Sequence, residues 1–435
     1  MCACAKGRVS SERVNGMVPS LPPPSEPNSL AATQRHRELG IDGAGAMSTK
    51  KLHHGASAYE HLNGEKKDHN MFDAVHLEQH VKHAGENWMK VFDREDKTGT
   101  CQAHLIDFDS ETIEQLVAHI SEGTQRARAG ATAALRKRAA SNESNQEAIV
   151  RAGALEPLVT QLQRGSAQLK EAVAGTLSNL AANNADIQVA IAKAGAIPPL
   201  VDLLKSKSSG AQKAAAGALG NLAANDENQL AICGTAGSLA SFVHLLRRGN
   251  AGVQAAAAGA LNNLAANDAN QVAITDADAV EPLVNLLGGG CVAYLAFLQA
   301  AAASALRNLA YKNIHNQQAI AQNGAIEPLV LLLSGASPQV QIAAAAALRN
   351  LAENNNDNQE FIARANDGEG VNALVEMAHG GNAEAQEEAI GALQNLATNS
   401  AINPKLLDGL PGVNSSSYWS EVLEEHSKFG DTLGV

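Results

Sequence analysis

The apolar and polar positions of this chain recur with a long, nearly constant period. The run Ala-Gly-Thr-Leu-Ser-Asn-Leu-Ala-Ala-Asn occupies positions 174–183. Variants return with Asn221, Asn263, Asn308, Asn350 and Asn395 in the place of Asn179, at steps of 42, 42, 45, 42 and 45 residues. Such a period marks supersecondary units stacked in one dimension, each too small to bury its apolar face alone. Every copy carries two leucines three apart, from Leu177/Leu180 to Leu393/Leu396. On an α-helix both fall on one face, which makes them core residues and turns the intervening Asn off that face. One polar side chain at the same helical position in six successive units forms a ladder.

The rest of each unit follows the same logic. A short helix carries an Ile (Ile149, Ile191, Ile232, Ile274, Ile320, Ile362), usually within Asn-Gln-x-Ala-Ile. A break follows at Gly153, Gly195, Gly237 and Gly324, where glycine permits the positive φ of a helix end. Pro157, Pro199, Pro282 or Pro328 then falls in the first turn of a second helix, where its missing N–H costs nothing. The long third helix bears the ladder. A second Asn column (Asn183, Asn225, Asn267, Asn354, Asn399) reads as helix-end chemistry. Six units span roughly 142–399, preceded from about 111 by a two-helix unit in which Arg138 is read as the ladder residue. One unit holds extra apolar residues between Leu287 and Gln299, which are expected to lengthen its third helix or cover its end.

Outside the array the signals are weaker. Residues 1–70 are rich in Pro, Ser, Gly and charge without periodicity and are expected to be disordered. Residues 71–110 read as a His-containing linker, in part helical, and 400–435 as a C-terminal cap and tail with Tyr418 and Trp419. His76, His80 and His83 share a helical face but lack cysteine partners, so they read as solvated histidines, and no metal is expected. The stretch from Phe92 has the flavour of a calcium loop, yet Arg94 and Leu105 stand where carboxylates are needed. Cys2 and Cys4 are candidate lipidation sites, read first as ordinary thiols.

Composition narrows the function. The net charge is −12 and aromatics make up 3% of the chain. An acidic chain lacks the basic stripe of a nucleic-acid binder. The five cysteines show neither paired nor metal-ligand spacing, which suits reduced thiols in the cytoplasm or nucleus. No secretory signal and no membrane-spanning run is legible. No catalytic constellation and no cofactor fingerprint appears, so the chain is not expected to be an enzyme.

Three helices per ~42 residues, with Gly after the first, Pro opening the second and Asn-Leu-Ala in the third, resemble the armadillo repeat. The alanine-rich copies are most similar to those of vacuolar protein 8 and plant armadillo-repeat proteins. The resemblance covers about 111–410 and implies an all-α fold, a right-handed α-superhelical solenoid whose third helices line a concave groove. It further implies a protein-interaction scaffold that holds extended peptide segments through Asn179, Asn221, Asn263, Asn308, Asn350 and Asn395. An amide offers both donor and acceptor to an unpaired peptide backbone. The family's nuclear-import receptor sets a Trp one turn before each Asn. Here Gly175, Gly217, Gly259, Ser304, Ala346 and Gly391 occupy those positions, so no slot for a lysine stem is expected. The ubiquitin-ligase domain of some relatives has no counterpart in 1–110.

Charge adds an expectation about the partner. Around the ladder the third helices carry Arg136, Lys137, Arg138, Lys170, Lys213, Arg307 and Arg349 against only Glu171, Glu387 and Glu388. A groove more basic than its surroundings steers acidic segments inward, with Arg138, Arg307 and Arg349 as its expected contacts. Two alternatives remain: a peripheral membrane adaptor anchored by acylation of Cys2 or Cys4, and an import receptor.

Overall fold

A computed structural model describes residues 107–288, 295–334, 337–380 and 383–398. All belong to one compact unit, Asn70–Val435. The expected disordered segment, Cys2, Cys4, the histidine face, the calcium-like loop, Tyr418 and Trp419 lie outside the described residues.

The described chain is helical throughout. A two-helix unit comes first, α1 (Ile113–Glu122) and α2 (Gln125–Ala139). Two regular three-helix units follow: α3 (Glu143–Arg151), α4 (Leu155–Arg164) and α5 (Ala167–Leu180), then α6 (Ala185–Lys193), α7 (Ile197–Leu203) and α8 (Ser209–Leu222). The third unit comprises α9 (Asp226–Gly234), α10 (Ser238–Arg248) and α11 (Ala251–Leu264). The fourth comprises α12 (Asp268–Asp276), α13 (Val280–Leu287) and α14 (Ala296–Ala310). The fifth comprises α15 (Ile314–Gln322), α16 (Ile326–Leu333) and α17 (Pro338–Ala352). In the sixth, α18 (Asn356–Arg364), a short 3₁₀ turn, α19 (Glu369–His379) and α20 (Ala383–Ala397) complete the array. The third helices α5, α8, α11, α14, α17 and α20 stack on one another in order, which makes the molecule an α-solenoid.

Burial follows the sequence period. The paired leucines of all six third helices are at most 3% exposed, and the six first-helix isoleucines are fully buried. Gly153, Gly195, Gly237 and Gly324 take φ between 77° and 82° after the first helix, and Asp278 takes the same left-handed turn in the fourth unit. An aspartate tolerates that region better than most residues. The apolar insert does not lengthen its helix. Helix α14 has fifteen residues, as do α17 and α20, and 289–294 lie outside the described residues.

A polar framework that the period alone did not announce ties one unit to the next. Each short first helix is N-capped by an Asn side chain, at Asn142, Asn184, Asn225, Asn267, Asn313 and Asn355. The second Asn column therefore splits. Asn225 and Asn267 are caps, whereas Asn183 and Asn354 take the left-handed turn just before the cap. The glutamines of the Asn-Gln motif, and Gln188 at the same position after Ile187, are buried. Gln146, Gln188, Gln229, Gln317 and Gln359 donate to carbonyls near the end of the preceding third helix, Ala139, Ala181, Ala223, Ala310 and Ala352. Those carbonyls lie in a last turn, where intrahelical partners run out, and a buried acceptor left bare would be costly.

Candidate functional site: the third-helix ladder

The six ladder asparagines occur at one position of stacked helices and form one connected row. Asn179 Nδ2 donates to the carbonyl of Arg136 at 3.0 Å, Asn221 to Ser178 at 2.9 Å, and Asn263 to Gly220 at 2.9 Å. Asn308 donates to Asn262 at 2.9 Å, Asn350 to Arg307 at 2.9 Å, and Asn395 to Arg349 at 2.8 Å. Every acceptor is the residue immediately before the preceding ladder position. The ladder is thus first of all a clamp between repeats. All six side chains remain half-buried. Apart from Asn263, whose Oδ1 accepts from Asn262, each ladder Oδ1 accepts no hydrogen bond among the described residues. At Asn221 and Asn308 the Nδ2 also donates to Ser178 Oγ at 3.3 Å and Asn262 Oδ1 at 3.1 Å, respectively. An amide oxygen has two lone pairs, so the capacity the clamp leaves in every repeat is that of the acceptor.

The hydrogen-bond register corrects the first unit. Asn179 reaches the carbonyl of Arg136 as Asn221 reaches that of Ser178, so Lys137 and not Arg138 holds the ladder position. Arg138 stands in the leucine column. Its Nη2 donates to the carbonyls of Phe108, Asp109 and Glu111 at 3.3, 3.0 and 2.6 Å. This fastens the entering chain onto α2, and Arg138 is a capping residue. Lys137 forms an ion pair with Asp109 at 3.0 Å, with both side chains about two-thirds exposed, a geometry of little energetic consequence.

The positions expected to be empty of indole rings have a use. At Gly175 and Gly391 the missing Cβ makes room for the side chain that precedes the ladder in the previous unit. A Cβ on Gly175 would come within 2.7 Å of Arg136 Cζ, and one on Gly391 within 2.6 Å of Arg349 Nε. At Gly217 the neighbour is Ser178 Oγ, at 3.4 Å. The two arginines therefore lie flat against the next helix and account for Gly175 and Gly391, whereas the distance at Gly217 is an ordinary contact that requires no glycine. Arg349 Nη1 donates to Glu388 Oε2 at 3.1 Å. Burial pushes the Arg136 guanidinium below its usual range, and the Glu171 carboxylate partly offsets this. Glu171 is itself held by Ser208 Oγ at 2.7 Å.

Among the described residues no cluster of His, Cys, Asp or Glu is placed to hold a metal, and no single helix is long and apolar enough to cross a membrane. Cys233 is a free thiol that burial pushes up to about 11.

The armadillo/beta-catenin-like repeat family matches at residues 141–182, 183–224 and 313–353. An engineered protein of known structure is 35% identical with a TM-score of 0.60, covering 66% of this chain and 69% of its own. A designed armadillo repeat protein is 30% identical with a TM-score of 0.52, covering 55% of this chain and all of its own. No curated protein sequence matches. With its period, its three-helix units and these likenesses, the chain belongs to the armadillo-repeat family.

Proposed function

We propose that this protein is a non-enzymatic scaffold that binds extended, predominantly acidic segments of other proteins along the third-helix ladder. The observation that carries this is the divided use of each ladder amide. The nitrogen closes the joint between repeats, at Asn221 and Asn308 with a second bond to Ser178 Oγ and Asn262 Oδ1. The half-exposed oxygen keeps a lone pair that can serve a ligand's main-chain N–H. The glycine, serine and alanine positions beside the ladder support the reading in a second way. The guanidinium ends of Arg136 and Arg349 lie on Gly175 and Gly391, where an import receptor would need indole slots for lysine.

Selection of a random peptide library on the intact chain, followed by titration of the recovered peptides, tests this. Replacing Asn221, Asn263 and Asn308 by Ala should weaken the selected peptides by roughly tenfold to several hundredfold, at about 0.5–1.5 kcal/mol for each lost hydrogen bond. Unchanged affinity in a folded triple variant refutes the reading. An acidic preference further requires binding to weaken as salt rises. The cytoplasm suits such a scaffold with reduced thiols. The membrane-adaptor alternative, by analogy with vacuolar protein 8, needs an acyl chain on Cys2 or Cys4, which an intact-mass measurement on protein from eukaryotic cells would reveal.

A further inference from the structure

We propose that the groove holds two separate carboxylate subsites, at Arg136 and Arg307, with a neutral stretch between them. This rests on the groove-binding reading above and specifies its ligand: acidic at both ends, uncharged in the middle.

The side chains immediately preceding the ladder run Arg136, Ser178, Gly220, Asn262, Arg307 and Arg349. The last is already neutralised, because its guanidinium meets Glu388, a carboxylate only 14% exposed. Arg136 and Arg307 are half-buried, yet neither guanidinium makes a hydrogen bond or an ion pair among the described residues. A guanidinium carries five N–H groups in a planar fork and no acceptor. Holding it partly out of water with none of them paired is unfavourable, and a carboxylate satisfies two at once. Arg136 is also confined. Its guanidinium lies on the face of the next unit where Gly175 has no Cβ. The Glu171 carboxylate acts on it electrostatically but makes no ion pair with it among the described residues, and its Oε2 accepts from Ser208 Oγ. A residue pre-placed in this way loses less freedom when a ligand arrives.

Geometry sets the spacing. Arg136 and Arg307 are separated by four steps of the stack. Neighbouring helices pack at roughly 8–10 Å, which places the two guanidiniums roughly 32–40 Å apart along the groove. At roughly 3.3 Å per residue, an extended chain covers that in about ten to twelve residues. Between them this column holds only Ser178, Gly220 and Asn262, none of which carries a charge.

The test uses three labelled peptides of equal length, titrated against the full chain by fluorescence anisotropy at several salt concentrations. One has two glutamate pairs separated by about ten neutral residues, one has the same glutamates in a contiguous block, and one is neutral. The spaced peptide should bind about tenfold tighter than the block. Arg136→Ala and Arg307→Ala should each cost about tenfold, the scale of a charged hydrogen bond, and each should flatten the salt dependence. Gly175→Ala keeps every charge but occupies the bed of Arg136, and should weaken the spaced peptide as Arg136→Ala does. A purely structural role for Arg136 would leave the salt dependence unmoved. If spaced and block peptides bind alike and Arg136→Ala is silent, the subsites are refuted while the ladder reading stands. If none of the three peptides binds, both are refuted.

Discussion

Asn221 on α8 donates its amide hydrogen to the main-chain carbonyl of Ser178 on α5, 2.9 Å away, across the joint between two repeats. The same bond recurs at every joint from Arg136 to Asn395. A residue first legible as a ligand contact is therefore also part of the spine. This changes how its substitutions behave.

Each ladder Asn→Ala change should lower stability by about 1 kcal/mol, because it leaves a partly buried carbonyl without its donor. A lowered melting temperature thus accompanies lost binding and does not argue against it. Urea titrations of Asn221→Ala and Asn350→Ala, which lie in units that are not neighbours, and of the double variant check this. In a quasi-one-dimensional array the two losses should nearly add, since each unit contacts only its neighbours.

Arg138 should matter for order at the N-terminal end and not for peptide association. Its Nη2 holds three carbonyls between Phe108 and Glu111. Arg138→Ala should speed proteolysis near residues 107–111 and leave the on-rate of an acidic peptide unchanged. Slower association with normal proteolysis would restore Arg138 to the groove.

Cys233 should be a poor nucleophile. Burial raises its thiol to about 11, so little thiolate exists near neutrality. Iodoacetamide at pH 8 should modify it far more slowly in the folded chain than in urea. Linkage gives a second readout. The folded thiol keeps its proton while the unfolded one, near 9, has lost it. This contribution is therefore intact below about pH 9 and is lost as pH rises toward 11. Cys233→Ser should reduce that alkaline loss.

Much of this architecture was legible because one constraint repeats six times. The leucine pairs, the first-helix isoleucines and the glycine breaks follow from burial and backbone freedom, and all fall where the period places them. The buried Gln146, Gln229 and Gln317 were present in the Asn-Gln motif, yet periodicity cannot say that a polar residue is buried to satisfy a neighbour's carbonyl. Arg138 was misplaced for a related reason. The terminal unit substitutes Leu135-Arg136-Lys137-Arg138 for Leu177-Ser178-Asn179-Leu180, and only the hydrogen-bond register shows which basic residue replaces the Asn. Arg136 escaped notice as a contact because its confinement depends on Gly175 of the next unit. Reading a groove needs two adjacent repeats at once.

The central claim is that the water-facing side of the ladder holds a ligand's main chain, and the most direct measurement is a double-mutant cycle on backbone hydrogen bonds. A selected peptide is N-methylated at one residue at a time, which removes a main-chain N–H and leaves the protein's stability untouched. Each form is titrated against the wild type and Asn221→Ala. Methylation at one position should weaken the wild type by roughly three- to tenfold, the scale of about 1 kcal/mol, and should cost the variant almost nothing. Equal losses in both proteins at every position would contradict the account, leaving the ladder only its clamp between repeats.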